Sequence, residues 1–352
     1  MIFLISLTSL VITLVILPGL SNVASKIGLM DLPHKRKIHM SPKPLVGGLG
    51  IFIAFFICSL LFISLSNLRG FYVGLIVLVI TGFIDDFKGL NHRWKFAAQT
   101  FSAILMMYFS KTVLVSCGNL FSLGPIHLGI LAIPITIFCV VGVINAMNMI
   151  DGIDGLAGGI SFITLISFAI LSYINHQKEL MLLSIALSGA VVGFLKYNWH
   201  PSKLFMGDIG SGSLGFTTAF LAIAITQKHH THVSPMVPIL ILAVPIVDTL
   251  TVMIKRKLKN KSPFHAGKDH IHHILLRMGF QKRTTVKIIL FASSLFAILG
   301  ILCAIMRVPD HYLFFIFFTY FILYFSSSFF VKELYIYKMK FTKRIGLAHG
   351  SK

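Results

Sequence analysis

Apolar residues in this chain neither alternate nor recur at one helical face. They come in long blocks separated by short polar interruptions, and blocks of this kind read as membrane spans, each needing about 20 predominantly apolar residues. The blocks fall at 2–20, 45–66, 71–84, 96–110, 128–144, 157–174, 180–197, 209–226, 235–254, 286–306 and 311–331, the third and fourth being short. The pattern predicts an all-α integral membrane protein, a polytopic bundle of about eleven transmembrane helices. Residues 1–352 read as a single transmembrane domain, with a basic tail at 332–352. Residues 112–127, rich in Val, Leu and Gly, read as a short hairpin.

Composition excludes the soluble alternative. The 352 residues are 56% hydrophobic and only 12% charged, more apolar surface than a soluble domain could cover. A signal peptide carries its basic residues before the apolar run. Here the first is Lys26, after it, so 2–20 reads as a retained helix with its N-terminus outside.

Charge agrees with that orientation. The inner segments are then 18–44, 85–95, 145–156, 196–208, 255–285 and the tail. They hold 25 of the 31 Lys and Arg, with Lys287 at an edge and Arg69, Lys111, Lys178, Lys228 and Arg307 outside. This is the positive-inside pattern, and it places the C-terminus inside. The net charge of +20 therefore calls for no nucleic acid; it suits anionic headgroups and an anionic substrate at the inner face. Cys58, Cys139 and Cys303 lie in spans and Cys117 stands alone outside, with neither metal spacing nor a disulfide framework.

The few acids are the informative residues. Asp85 and Asp86 end the third span in GFIDDFKGL, Asp151 and Asp154 follow the fifth in NAMNMIDGIDGLAGG, and Asp208 precedes the eighth in LFMGDIGSGSLG. Asp248 lies within the ninth, towards its inner half. Helix capping would account for any one of them. It accounts poorly for two adjacent carboxylates, and acids at membrane depth mark sites. Carboxylates without cysteine point to a hard cation, Mg²⁺ with Mn²⁺ as the alternative, which keeps positions for phosphate oxygens. The same face carries Arg36, His39, Lys43 and Lys95. Basic residues opposite such a site point to a phosphorylated substrate. The longest inner loop adds His265, His270, His272 and His273. Zinc would be served poorly there, without HExxH or cysteine; phosphate recognition suits the loop better.

Four stretches in order, GFIDDFKGLNHRWK, NAMNMIDGIDGLAGG, YNWHPSKLFMGDIGS and KDHIHHILLRMGF, resemble the polyprenyl-phosphate N-acetylhexosamine-1-phosphate transferases. The likeness runs from Asp31 to about Phe280. It implies that undecaprenyl phosphate attacks the β-phosphate of a UDP-N-acetylhexosamine, that UMP leaves, and that Mg²⁺ is required. It implies Asp208 and Asp86 as metal ligands, with Asp85 and Asp86 as the paired acids and Asp85 the candidate base. Asn145, Asn148, Gly152 and Asp154 match the nucleotide pocket; Asp151 matches either that pocket or its support. Phe205 matches an aromatic that stacks on uracil, Asn198 a polar position near the site, and His272 and His273 the histidines near the diphosphate. Arg36, His39, Lys43 and Lys95 are expected on the substrate.

The row His270–Ile271–His272–His273 departs from the three consecutive histidines of the lipid I enzymes. With the segment from Arg36 to Gly48 it resembles the WecA-like branch, which implies UDP-GlcNAc as donor, initiation of O-antigen, common-antigen or teichoic-acid synthesis, and the bacterial cytoplasmic (inner) membrane. UDP-N-acetylfucosamine, UDP-N-acetylquinovosamine and UDP-MurNAc-pentapeptide are the alternative donors. Homodimerisation enters through the resemblance alone. An ion-coupled transporter is the reading from another class, but its acids would sit at the midplane and its halves would repeat. A non-catalytic scaffold would tolerate Asp208→Asn.

Overall fold

The computed structural model describes residues 1–32, 41–227, 231–262, 267 and 269–349, with backbone alone after Phe330. Thirteen α-helices carry most of these residues. They are α1 (Ile2–Ile27), α2 (Gly47–Phe62), α3 (Arg69–Lys88), α4 (His92–Ser110), α5 (Ala132–Ile150), α6 (Leu156–Ile174) and α7 (Lys178–Asn198). Then come α8 (Gly207–Gln227), α9 (Met236–Ile241), α10 (Ala243–Leu258), α11 (Ile271–Arg277), α12 (Lys282–Ile305) and α13 (Asp310–His349). Eight helical segments are long and apolar enough to cross a membrane. The protein is thus an all-helical, multi-pass membrane protein.

Every apolar block of the sequence coincides with helix, but the boundaries carry information of their own. Block 45–66 contracts to α2, whose 16 residues span only about 24 Å at 1.5 Å per residue. Block 235–254 is two helices, α9 and α10, parted at Leu242. Pro245 has no N–H to offer the carbonyl four residues earlier, and its ring crowds that carbonyl, so the break falls where the proline requires it. The final block runs on without a stop into the basic tail as α13, as far as His349. Beyond the helices, Met30–Asp31 (β1) pairs antiparallel with Lys43–Pro44 (β2), a strand pair without a signal in the apolar pattern.

Helix α8 is the axis of the bundle. It packs against α2, α3, α5, α6 and α7, and the rings of Phe71 on α3 and Phe220 on α8 lie 4.7 Å apart. Helix α1 lies along α7 and α2, while α12 and α13 pack on α9 and α10 at the other side. Outward-facing residues such as Phe138, Phe291 and Leu323 are exposed, as a lipid-facing surface requires.

The two ends of the bundle differ. At one, residues 112–127 form the expected hairpin, closed by a Ser116–His127 bridge. It is held to α8 by Gln227, whose Oε1 accepts the N–H groups of Val115 and Ser116, and to α13 by Asp310, which accepts the Asn119 N–H. At the opposite end the acids gather.

Candidate active site

Asp85 and Asp86 occupy the last turn of α3. Neighbours on a helix point about 100° apart, so the two carboxylates serve different partners. Asp86 faces α8 and accepts the backbone N–H groups of Asp208 at 2.7 Å and Ile209 at 3.2 Å. First-turn amides have no acceptor within their own helix, so Asp86 caps α8 from outside and meets the positive end of its dipole. The close approach depends on Gly207. Its φ is +73°, and a Cβ there would collide with the Asp86 carboxylate.

Asp85 is buried. Its Oδ1 accepts the Leu90 N–H at 2.7 Å, and its Oδ2 pairs with the ammonium of Lys95 from the first turn of α4. The same ammonium lies 2.9 Å from Oδ2 of Asp208. Asn148, at the end of α5, donates to the other Asp208 oxygen at 2.5 Å. Four helices thus converge on one cation held between two carboxylates.

The residues expected at the nucleotide side form a brace beside this cluster. Asn145 donates to Oε1 of Gln99 and to the Val141 carbonyl, both at 2.8 Å, tying α5 to α4. Asp154 accepts from Nδ1 of His200 at 2.9 Å and from the Ser202 N–H at 3.3 Å. Asn198 is buried; its Oδ1 accepts the Gly155 N–H at 2.9 Å, and its Nδ2 donates to the Leu204 carbonyl at 3.0 Å. Lys43 donates to the Ser202 carbonyl at 2.6 Å. Phe205 is half-buried, its N–H given to Pro44 and its carbonyl accepting from Gly47, both at 2.9 Å. Loop 151–155, loop 199–206 and β2 are therefore one connected support. Asp151, at the end of α5, has its carboxyl pushed up to about 7, by burial first and then by the charges of Asp208 and Asp154.

The histidine loop closes over Gly152. His272 is buried and packs so tightly on Gly152 that any side chain there would meet its ring. Burial, with His273 and His270 beside it, drives its pKa down to about 3, so this imidazole is neutral. Its Nδ1 has no hydrogen-bond partner among the described residues. His272, expected from the sequence near the diphosphate, here makes the contact between the loop and the brace. His273 is half-buried next to it, with ring centroids 4.2 Å apart. Arg36, His39 and His265 lie outside the described residues.

Sequence reasoning passed over two partners. Gln99 and His200 are ordinary polar residues until the fold sets them against Asn145 and Asp154. Asp248 was visible as an acid within an apolar block, but nothing in the sequence showed what it meets.

A hard cation fits this donor set. Asp85 and Asp208 already share a positive charge, and Mg²⁺ is usually held by one or two carboxylates plus substrate phosphates and water. Among the described residues no three His, Cys, Asp or Glu side chains are grouped to hold a metal by themselves, so such an ion would draw its remaining oxygens from the substrate.

Carboxylates, a lysine and amides gathered at one end of a lipid-facing bundle define a membrane-embedded enzyme of phosphoryl-group chemistry. Residues 68–226 match the model of glycosyl transferase family 4. The chain is 33% identical over 306 residues, 84% of its length and 83% of the relative's, to a probable undecaprenyl-phosphate N-acetylglucosaminyl 1-phosphate transferase of Bacillus subtilis. It is 32% identical to undecaprenyl-phosphate alpha-N-acetylglucosaminyl 1-phosphate transferases of Escherichia coli K12, over 86% of this chain and 84% of that one, and of Salmonella typhi, over 80% and 78%. The chain belongs to glycosyl transferase family 4.

Proposed function

We propose that this protein transfers N-acetylglucosamine 1-phosphate from UDP-GlcNAc to undecaprenyl phosphate and releases UMP. The observation that carries the reading is the Asp85–Lys95–Asp208 cluster with Asn148, set in a chain whose relatives bear that activity in their names. An oxygen of the lipid phosphate forms a bond to the β-phosphorus of the donor. The bond from that phosphorus to the bridging oxygen breaks, and UMP leaves with the electron pair. A phosphate monoester is already largely ionised near neutrality, so Asp85 has little proton to remove. Positioning and charge neutralisation then carry the rate.

Asp208 and Asp85 would hold Mg²⁺, with Mn²⁺ as a substitute. When bound, the ion would neutralise charge on the diphosphate. Asp86, expected from the sequence as the second metal ligand, acts one step back in this reading, because its oxygens accept the Asp208 and Ile209 N–H groups and fix the backbone of Asp208. Lys95, which bridges Asp85 and Asp208, would meet a phosphate oxygen of the substrate. The brace of Asp154, Asn198, Lys43 and Phe205 shapes the nucleotide side, with Asn145, Asp151 and Gly152 at its edge and His273 towards the diphosphate. The topology that fits is about eleven spans, counting α2, α4 and the α9–α10 pair with the eight long ones. The N-terminus is then outside and the site faces the cytoplasm of a bacterial inner membrane. A homodimer is compatible with the exposed faces of α12 and α13.

The test is an assay of the purified protein with undecaprenyl phosphate, Mg²⁺ and a panel of UDP-sugars, reading UMP and lipid-linked product. Product from UDP-GlcNAc supports the reading. Product only from UDP-N-acetylfucosamine, UDP-N-acetylquinovosamine or UDP-MurNAc-pentapeptide keeps the chemistry and changes the pathway. UMP release without the lipid phosphate would defeat it.

A further inference from the structure

Asp248 sits on α10 within the apolar bundle and is 1% exposed. A buried carboxylate is costly unless donors surround it. This one has three. His270 Nδ1 meets its Oδ2 at 2.7 Å, and its Oδ1 accepts the Ile271 N–H at 2.8 Å and the Tyr324 hydroxyl of α13 at 2.7 Å. His270 is the residue before α11 and Ile271 the first within it. A single side chain from the membrane interior therefore sets where α11 begins, how His270 is turned, and how both join α13.

The setting reaches the site by contact. The rings of His270 and His272 lie parallel, 5° apart in plane with centroids 5.9 Å apart, and His272 bears on Gly152. Between α10 and the brace that supports Asp208 there is thus a continuous line of packed rings. The described hydrogen bonds of this acid go to His270, Ile271 and Tyr324 and not to the Asp85–Asp208 cluster, so it has no part in the chemistry as derived above. It has the geometry of an outer-shell partner, which orients a histidine through its far nitrogen.

We propose that Asp248 is a positioning residue, which through His270 and the first turn of α11 holds His272 against Gly152 and so sets His273 in register over the donor diphosphate. The inference rests on the transferase reading above. It predicts a loss mainly of turnover, because the brace at the nucleotide side keeps its own hydrogen bonds while His273 loses its placing.

The experiment compares full-length wild type, Asp248→Asn and Tyr324→Phe, measuring kcat with UDP-GlcNAc, UMP affinity, and hydrogen exchange of residues 269–277. Asn presents an N–H where His270 needs an acceptor. Asp248→Asn should lower kcat by about 10-fold or more, the usual scale for such partners. UMP affinity should stay within about 2-fold while the α11 amides exchange faster. Wild-type turnover, an equal loss of UMP affinity, or unchanged exchange in α11 would each overturn the proposal. If Asp248→Asn does not fold, Tyr324→Phe carries the test: the expected result is a smaller fall in kcat with faster α11 exchange, and no change in either overturns it. An inactive wild type would defeat the transferase reading, while hydrogen exchange would still decide whether Asp248 holds α11.

Discussion

The ammonium of Lys95 lies 2.9 Å from Asp208 and pairs at the same time with Asp85, so one side chain from α4 neutralises acids from α3 and α8. Removing it leaves two carboxylates facing each other, and like charges so placed repel. Lys95→Ala should lose activity by about 100-fold or more, the scale of a lost electrostatic stabiliser. It should also melt at a lower temperature. Added Mg²⁺ should restore more of the melting temperature in Lys95→Ala than it adds to wild type; thermal unfolding with and without the ion reads the difference.

Asp86 acts on the same cluster through backbone. Asp86→Ala should destabilise the protein by about 1 kcal/mol, the usual worth of a helix cap, and lower kcat because Asp208 stands in the capped turn. Gly207→Ala should do more harm, since it meets both a positive φ and the Asp86 carboxylate. Denaturation midpoints and turnover for both variants check this.

The neutral His272 makes a pH prediction. Its pKa in the fold is about 3, below its ordinary value of 6.5, so the unfolded chain takes up the proton first. Stability from this position is complete above about pH 6.5 and is lost as the pH falls towards 3. His272→Asn should flatten that part of the acid slope in melting temperature, and a slope unchanged by the substitution would contradict the assignment.

Asp151 runs the other way. Its carboxyl is raised from 3.8 to about 7, so stability is complete below 3.8 and is lost as the pH rises through about 7. Asp151→Asn should therefore melt higher than wild type near pH 8 and about equally near pH 4. Melting curves at the two pH values, without divalent cations, settle it.

Chelation gives a fifth check, on the cation itself. Turnover should vanish on removing divalent cations and return with Mg²⁺ or Mn²⁺. Asp208→Asn should lose that recovery, while Asp86→Asn should keep part of it.

Helix positions were legible because lipid demands long apolar runs, and an acid in such a chain stands out. Asp85, Asp86, Asp208 and Asp248 were all visible for that reason. Their division of labour was not. Asp85 and Asp86 are equivalent in sequence, and only the 100° step between them on α3 sends one to Lys95 and the other to the α8 amides. The roles of Asp154 and Asn198 were hidden likewise, because their partners at His200, Ser202, Gly155 and Leu204 are set by how two loops meet. The break at Leu242 was readable in principle from Pro245. Nothing local foretold that His272 would be sealed from water, since that depends on Gly152, 120 residues earlier.

Helix α2 measures about 24 Å, against a hydrocarbon layer of about 30 Å. Its site end is fastened to the Phe205 and Met206 carbonyls through Gly47 and Gly48, and Leu60 and Leu61 are exposed near its other end. A short span in a thick layer pinches the bilayer around it. A bilayer thinned to the length of α2 would bring the leaflet surface closer to the carboxylates. Turnover should then be higher in vesicles of shorter acyl chains than in thick ones.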